Sequence, residues 1–456
     1  MEKLNFIIIL YTFLLCNLNA NRFPVNLGGL FTVNQLSFYN QYWTSIKMAL
    51  NHINSAVVTR NITLILNETE GMTQCDIGYA VKTFFEMLSK PPKRVVLLTN
   101  ACQTVIGQIT ETATYLQLPI FSFTETDPSL AAREKYGGFF RIVPSDLMHN
   151  NVRREILQRY NWTRFGLIYQ TGSQFTLAAN DFLSKLFVQD KKYDLHKWEV
   201  NLTRSISYRM SKNTYEENSK SIENILNDFK ARDVRIVIGN FNQKVAEHVF
   251  CQVARKKLYG ARYQWLLLGF HDDLNWWKSN STKCSIDELV RALNGTFHTR
   301  IPEMSIEDKS NTDMKISATY LSDYISQYKK KINSSGFFHA YAYDGLWSVA
   351  LAFQQLLNTK DENHYNLTSK FFSHGWTSLF KAAVEKLDFY GVTGRVRYSD
   401  GERVGEILVE QYVACRITNE LCEIPCYEGD ECSLKLVKIF LAEDDELLDL
   451  DPVMWH

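Results

Sequence analysis

The feature that most constrains this chain is a series of short, nearly continuous apolar runs: VNLGGLFTV, ITLIL, RVVLLTN, PIFSF, RFGLIYQTG, VRIVIGNF and YQWLLLGF. A strand with one wet face alternates polar and apolar residues, whereas a strand covered by helices on both faces does not, so these runs read as strands of parallel sheets. Between them lie amphipathic stretches such as KVAEHVFCQVARKKLY, which sets Val245, Val249, Phe250 and Val253 on one helical face. The chain is therefore read as repeated strand–helix units, an α/β protein.

With 456 residues, the chain is too long for one doubly wound sheet, and no Gly/Ser/Pro-rich linker divides it. Two α/β lobes joined by direct strand crossings satisfy both facts. Candidate crossings are Val143-Pro144, Gly269-Phe270 and Tyr390-Gly391, where strands end in Pro or Gly. The stretch FYGVTGRVRYSDGERVG, 389–405, lacks the strand–glycine–helix order and the Lys-Ser/Thr pair of a phosphate loop. It reads instead as strands joined by a tight turn at Asp400-Gly401, with Gly391 and Gly394 giving backbone freedom to a hinge.

Charge and export signals narrow the class. Fifty basic side chains balance fifty acidic ones, so nothing supplies the electrostatic footprint that nucleic acid requires. Residues 1–20 combine Lys3, an apolar run from Phe6 to Leu15 and Ala20 at a cleavage position, the pattern of a secretory signal peptide. Asn-X-Ser/Thr sequons occur at Asn61, Asn67, Asn161, Asn201, Asn280, Asn294, Asn333 and Asn366. Setting Cys16 aside with the signal peptide leaves eight of the nine cysteines, an even number that suits four disulfides, with buried free thiols as the other reading. Cys415, Cys422, Cys426 and Cys432 lie close together, in a connectivity the spacing does not assign.

In an open α/β sheet, ligands sit beyond the carboxyl ends of the strands. The loops there are Asn100 to Thr104, Thr124 to Thr126, Gln170 to Gly172 and Asn240 to Asn242, mostly uncharged hydrogen-bonding residues. The first opens a helix, where backbone N–H groups could hold a carboxylate or where Gln103 or Thr104 could serve as a cap. Catalytic signatures are missing: there is no Gly-X-Ser-X-Gly, no His-Glu-X-X-His and no Cys-X-X-Cys with matching ligands. His271-Asp272-Asp273 and the acidic run 442–451 read as solvated segments. The expectation is a binding protein with no catalytic residue, no metal and no cofactor.

Five segments together resemble the extracellular Venus-flytrap domain of metabotropic GABA (GABA-B) receptors, which are class C G-protein-coupled receptors. They are FFRIVPSD at 139–146, DVRIVIGNFNQKVAEHVFC at 233–251, YGARYQWLLLGF at 259–270, FHAYAYDGLW at 338–347 and FYGVTGRVRYSDGERVG. The resemblance implies a bilobed fold like the type-I periplasmic binding proteins, two doubly wound parallel-sheet lobes joined by three crossings. Lobe 1 would hold 21–143 and 271–389, lobe 2 would hold 144–270 and 390–413, and a Cys-rich, acidic segment would occupy 414–456. The pairs Cys75/Cys102 and Cys251/Cys284 fall where that family places disulfides.

The last two segments are most similar to the second subunit type, which partners the GABA-binding subunit in a heterodimer and couples to the G protein through a transmembrane part. Thr126 keeps the hydroxyl of the family's ligand-contacting serine, but Gln103 replaces another serine. Val143 stands at the histidine position, Asn242 at the tyrosine, Phe270 at the tryptophan and Phe338 at the acidic residue that clamps the ligand's amine. Losing one partner of a buried charge pair costs about 2–5 kcal/mol, so weak or no GABA binding is implied. First lobes pair through helices in that family, and 104–117 offers Ile109 and Tyr115 as exposed candidates. The implied location is the secretory pathway and the outer face of the plasma membrane. The ectodomain of a receptor guanylate cyclase and a secreted protein that sequesters ligand are alternatives of similar fold.

Overall fold

The apolar runs fold as strands in the computed structural model, which describes residues 22–32, 36–67, 71–187, 198–208, 215–269, 275–278, 282–305, 324, 326–327, 337–358, 364–418, 421–425, 432–443 and 446–454. In chain order the elements begin β1 (Phe23–Thr32), α1 (Leu36–Ser55), β2 (Ile62–Leu66), β3 (Met72–Thr73), α2 (Ile77–Ser89), β4 (Val96–Thr99), α3 (Gln103–Tyr115), β5 (Ile120–Ser122) and β6 (Phe139–Arg141). They continue with α4 (Met148–Arg159), β7 (Arg164–Gln170), α5 (Ser173–Phe187), β8 (Glu199–Ile206), α6 (Tyr215–Ala231), β9 (Ile236–Asn240), α7 (Gln243–Lys256), β10 (Gln264–Leu268), α8 (Ile286–Leu293) and β11 (Phe297–Arg300). The last are α9 (His339–Asn358), α10 (His364–Lys370), α11 (Trp376–Val384), β12 (Asp388–Gly391), β13 (Gly394–Ser399), β14 (Glu402–Val404), β15 (Ile407–Thr418), β16 (Leu421–Pro425), β17 (Cys432–Glu443) and β18 (Glu446–Asp449). The signal peptide and the His271-Asp272-Asp273 cluster lie outside the described residues.

The chain divides into two compact units. The first comprises Met1–Glu125, Leu130–Val143 and Glu303–Val404; the second comprises Thr126–Ser129, Pro144–Pro302 and Gly405–His456. Unit 1 carries one sheet in the order β12-β13-β14-β6-β5-β4-β1-β2, with β3 beside β1. Its β2, β1, β4, β5 and β6 run parallel, with α1, α2 and α3 in the connections from β1 to β5. Ala80, Phe84 and Met87 of α2 pack with Val105, Ile106 and Ile109 of α3 against Leu97 and Ile120 of the sheet. Ile109, offered above as a surface residue, is 1% exposed and belongs to this core; Tyr115 is 86% exposed.

The stretch around Gly391 lies wholly within unit 1, so the expected lobe crossing there is corrected. Asp388–Gly391 and Gly394–Ser399 form an antiparallel pair, with Gly391 opposite Gly394. Asp344, fully buried on α9, fixes the turn between them: its carboxylate accepts hydrogen bonds from the Val392 and Thr393 N–H groups at 2.9 and 2.8 Å, and from the Thr393 hydroxyl. A side chain on Gly391 would collide with that carboxylate, which is why the position requires glycine. Arg403 completes the cluster by donating to the Thr393 hydroxyl at 2.6 Å and to the Thr393 carbonyl at 3.0 Å. Thus the YDG of one sequence segment holds the GVTG of another. The Asp400-Gly401 turn joins β13 to β14 with positive φ at both residues, 52° and 75°, as a two-residue hairpin requires.

Unit 2 carries a second sheet in the order β18-β17-β15-β11-β10-β9-β7-β8, with β16 beside β15. The expected crossing at Gly269-Phe270 is also corrected: residues 271–302 belong to unit 2, because β10 pairs in parallel with β11 through the α8 crossover. The Ser285/Glu288 capping box starts that crossover helix. The segment 414–456 is part of the same sheet rather than a separate appendage, since β17 and β18 extend it antiparallel from β15. Disulfides join Cys75 to Cys102 in unit 1 and Cys251 to Cys284 in unit 2, with Cα separations of 5.8 and 5.6 Å. Cys415 and Cys432 are disulfide-bonded as well.

Where β11 meets β15, His298 faces Glu410 directly, and Glu410 accepts from His298 Nε2 at 2.9 Å, from Arg300 Nε at 2.6 Å and from Arg300 Nη2 at 2.8 Å. Burial pushes the Glu410 carboxyl up, but the His298 and Arg300 bonds outweigh it and hold the pKa at about 2.

Two outcomes follow. Asp344→Ala leaves the Val392 and Thr393 N–H groups buried without their acceptor and lowers unit 1 stability by about 2–4 kcal/mol in denaturant titration. Because the folded Glu410 pKa lies below its ordinary 4.5, its contribution is complete above that pH and drains away as pH falls toward 2. Urea titrations at stepped pH should show on the order of 3 kcal/mol lost through this group across that window, and Glu410→Gln should remove that part of the slope.

Candidate functional site

Along β2-β1-β4-β5-β6 and along β8-β7-β9-β10-β11 the chain reverses its direction of travel once, the position at which open α/β sheets hold ligands. In unit 1 it lies between β1 and β4, because the chain steps from β1 to β2 on one side and reaches β4 on the other. Here the Thr32 N–H donates to Asn100 Oδ1 at 2.9 Å, and the Cys102 N–H donates to Thr32 Oγ1 at 3.3 Å. Thr32 Oγ1 also lies 3.1 Å from Thr73 Oγ1. Cys102 is the N-cap of α3, without a side-chain cap bond, so neither Gln103 nor Thr104 takes the capping role. Gln103 is the first helical residue and is exposed.

Phe338 sits in unit 1 immediately before α9 and is buried. Its ring lies edge-on to Phe337 at 5.2 Å and to Tyr341 at 6.3 Å, an aromatic setting. Val143 is fully buried at the last residue of its unit 1 segment.

In unit 2 the reversal lies between β7 and β9, which carry β8 on one side and β10 on the other. Gln170 ends β7 and accepts the Asn242 N–H at 3.0 Å, so the two strand ends are tied together. Asn242 is the N-cap of α7: its side-chain oxygen accepts the Val245 N–H at 3.0 Å. Four residues after Gln170, Gln174 in the first turn of α5 donates to Asp146 Oδ2 at 2.6 Å and lies 3.5 Å from Thr126 Oγ1. Ser173 donates to Asp127 Oδ2 at 3.1 Å, and the Thr126 carbonyl accepts the Asp146 N–H at 3.1 Å. Thr126 and Asn242 therefore border the two ends of one loop, 170–174.

Below this loop lies Arg153 of α4, fully buried, donating to Asn240 Oδ1 at 2.6 Å and to Asn150 Oδ1 at 3.3 Å. Burial lowers its pKa to about 9, and the Asp146 charge opposes that shift. The arrangement offers hydroxyls, amides and carboxylates around a helix N-terminus, which suits recognition of a small polar molecule; no titratable nucleophile with a base beside it appears among these residues.

Of the five ligand-binding candidates, Gln103 and Phe338 lie on unit 1, Thr126 and Asn242 lie on unit 2, and Phe270 falls outside the described residues. Sequence reasoning missed Asp127, Asp146, Arg153, Ser173 and Gln174. Asp146 closes the FFRIVPSD segment, and Ser173-Gln174 directly follow the Gln170 to Gly172 loop, so proximity in sequence was the available signal. Among the described residues no group of His, Cys, Asp and Glu could hold a metal ion, and no helix is long and apolar enough to cross a membrane.

Comparison with known proteins adds three findings. Residues 43–413 match the receptor family ligand binding region. The chain is 29% identical over 379 residues to the human gamma-aminobutyric acid type B receptor subunit 2, covering 81% of this chain and 37% of that protein. It is 26% identical over 383 residues to the mouse subunit 1, and 23% identical over 429 residues to the Caenorhabditis elegans subunit 2, with 80% and 92% of this chain covered. The chain spans 37–46% of the length of these relatives.

Replacing the α7 cap tests the local role of one candidate. Asn242→Ala should cost about 1 kcal/mol of unit 2 stability while Asn242→Asp retains most of it, read from thermal melts.

Proposed function

From the premise that the chain belongs to the receptor family ligand binding region, we propose that it is the extracellular ligand-binding region of a GABA-B-like, G-protein-coupled receptor subunit. It acts as the partner subunit of a heterodimer in GABA signalling, with weak or no GABA binding of its own. The observation that carries this reading is Phe338: a buried aromatic ring occupies the position where the resemblance puts an amine-clamping acid. An ammonium group that meets a phenyl ring where a carboxylate would pair with it loses about 2–5 kcal/mol, or a factor of roughly 30 to several thousand in affinity. Asn242 supports the same conclusion, since its side-chain oxygen is committed to capping α7.

Thr126, Gln103 and Phe270 remain ligand-facing positions in this proposal, for a small amino-acid-like molecule. The protein is a binding module and not an enzyme, and its residence is the outer face of the plasma membrane. Association with the partner runs through the exposed end of α3, with Tyr115 as the anchor.

Isothermal titration of GABA onto the purified region should give no saturable heat at concentrations that saturate a binding-type subunit. Mixing the two regions should form a complex, and Tyr115→Ala should weaken it by about 2 kcal/mol. Failure to associate with any such subunit sinks the proposal. Ile109→Ala, by contrast, should destabilise the core by about 2–5 kcal/mol, visible as a lowered melting temperature of the isolated region.

A further inference from the structure

The exposed edge of unit 1 offers a second conclusion, resting on the extracellular residence just proposed. The strand β2 ends its sheet. Successive residues of a parallel strand turn their backbone groups to opposite neighbours. Leu64 therefore turns its N–H and C=O away from β1, although its Cα is in register with Val25. Both groups are taken by the side chain of Asn54, at the end of α1. Its Oδ1 accepts the Leu64 N–H at 2.9 Å and its Nδ2 donates to the Leu64 C=O at 3.0 Å, imitating one peptide of a missing strand. The Ile62 N–H, two residues earlier, is taken by the Thr59 carbonyl at 3.1 Å. An edge strand left open invites pairing with another chain. Around it lie apolar side chains in water: Val57 is 79% exposed, Val58 42% and Ile65 46%.

Two sequons bracket this strand: Asn61-Ile62-Thr63 starts at the residue before it and Asn67-Glu68-Thr69 at the residue after it. Asn61 is half-buried and Asn67 exposed. Two of the other sequons differ. The Asn201 amide nitrogen in β8 is buried, and Asn294 is half-buried with its oxygen accepting the Ala414 N–H at 2.8 Å. We propose that Asn61 and Asn67 are glycosylated as a pair, and that the two glycans shield the β2 edge and its apolar border from pairing with other chains.

The acceptor chemistry is that of any N-glycan. Asn Nδ2 attacks C1 of the first sugar of a lipid-linked diphosphate oligosaccharide. The C1–N bond forms as the C1–O bond breaks, the lipid diphosphate leaves with the electron pair, and one Nδ2 proton passes to a base. Thr59 and Asn54 take the Ile62 N–H and both Leu64 groups, and the glycans cover the apolar border that these bonds leave in water.

The test is glycopeptide mapping of the protein secreted from a eukaryotic host, followed by light scattering before and after enzymatic glycan removal under native conditions. Glycans at both Asn61 and Asn67 are expected, together with a several-fold rise in self-associated protein once they are removed. The double variant N61Q/N67Q should reproduce that rise, and N161Q should not. A chain that carries a glycan at Asn161 but is bare at Asn61 and Asn67 overturns this proposal and leaves the export reading standing. So does a deglycosylated protein that stays monodisperse. A secreted chain bare at every sequon overturns both.

Discussion

A parallel strand cannot reach its neighbour by a tight turn; it needs a crossover, and here the crossover is almost always a helix that buries one face of the sheet. From that constraint the rest of each unit follows. Covering both faces buries the strands throughout and makes them mostly apolar, as in Val96–Thr99 and Gln264–Leu268, where every residue is buried. It also directs all carboxyl ends of the parallel strands to one edge and sets helix N-termini beside them. Polar residues gather there with helix N-termini and strand-end backbone groups as partners, whereas the buried clusters elsewhere, Asp344 with Arg403 and Glu410 with His298 and Arg300, must pair among themselves. Thr32, Asn100 and Cys102 gather at that edge in unit 1, and Gln170, Gln174 and Asn242 in unit 2.

Much of this was legible from local pattern. The runs ITLIL, RFGLIYQTG and VRIVIGNF announce strands, and the Asp400-Gly401 turn announces its hairpin, because both signals rest on a few adjacent residues. What stayed hidden depends on partners far along the chain. Phe297–Arg300 reads FHTR and carries no strand signature, yet it pairs with β10 and β15, its histidine and arginine made tolerable by Glu410, 112 and 110 residues later. Missing that strand is what misplaced the second crossing. The third was misplaced for a related reason: glycine near Tyr390 looked like a joint, whereas Gly391 is small so that the Asp344 carboxylate fits against it. Nothing in the sequence of α4 marks Arg153, rather than Arg154 or Arg159, as its buried arginine. Of the site, the loops were visible and their mutual bonding was not.

The polar residues of the unit 2 site already satisfy one another to a large extent. Gln174 serves Asp146, Ser173 serves Asp127, and Asn242 serves its own helix. A molecule entering such a place exchanges hydrogen bonds rather than adding them, so its net gain is small unless it restores every one it displaces. Selectivity for shape and donor pattern is then more attainable than tight binding.

The Asn54 amide carries a chemical consequence. Its nitrogen and oxygen perform different tasks on Leu64, one giving a hydrogen and the other taking one. Slow hydrolysis of that amide, a known weakness of asparagine, would turn the donor into an oxyanion facing a carbonyl oxygen. Attraction would become repulsion at that one peptide. The strand border would thereby carry a clock: the older the molecules, the larger the share of copies whose margin has come undone, without any change in the encoded residues.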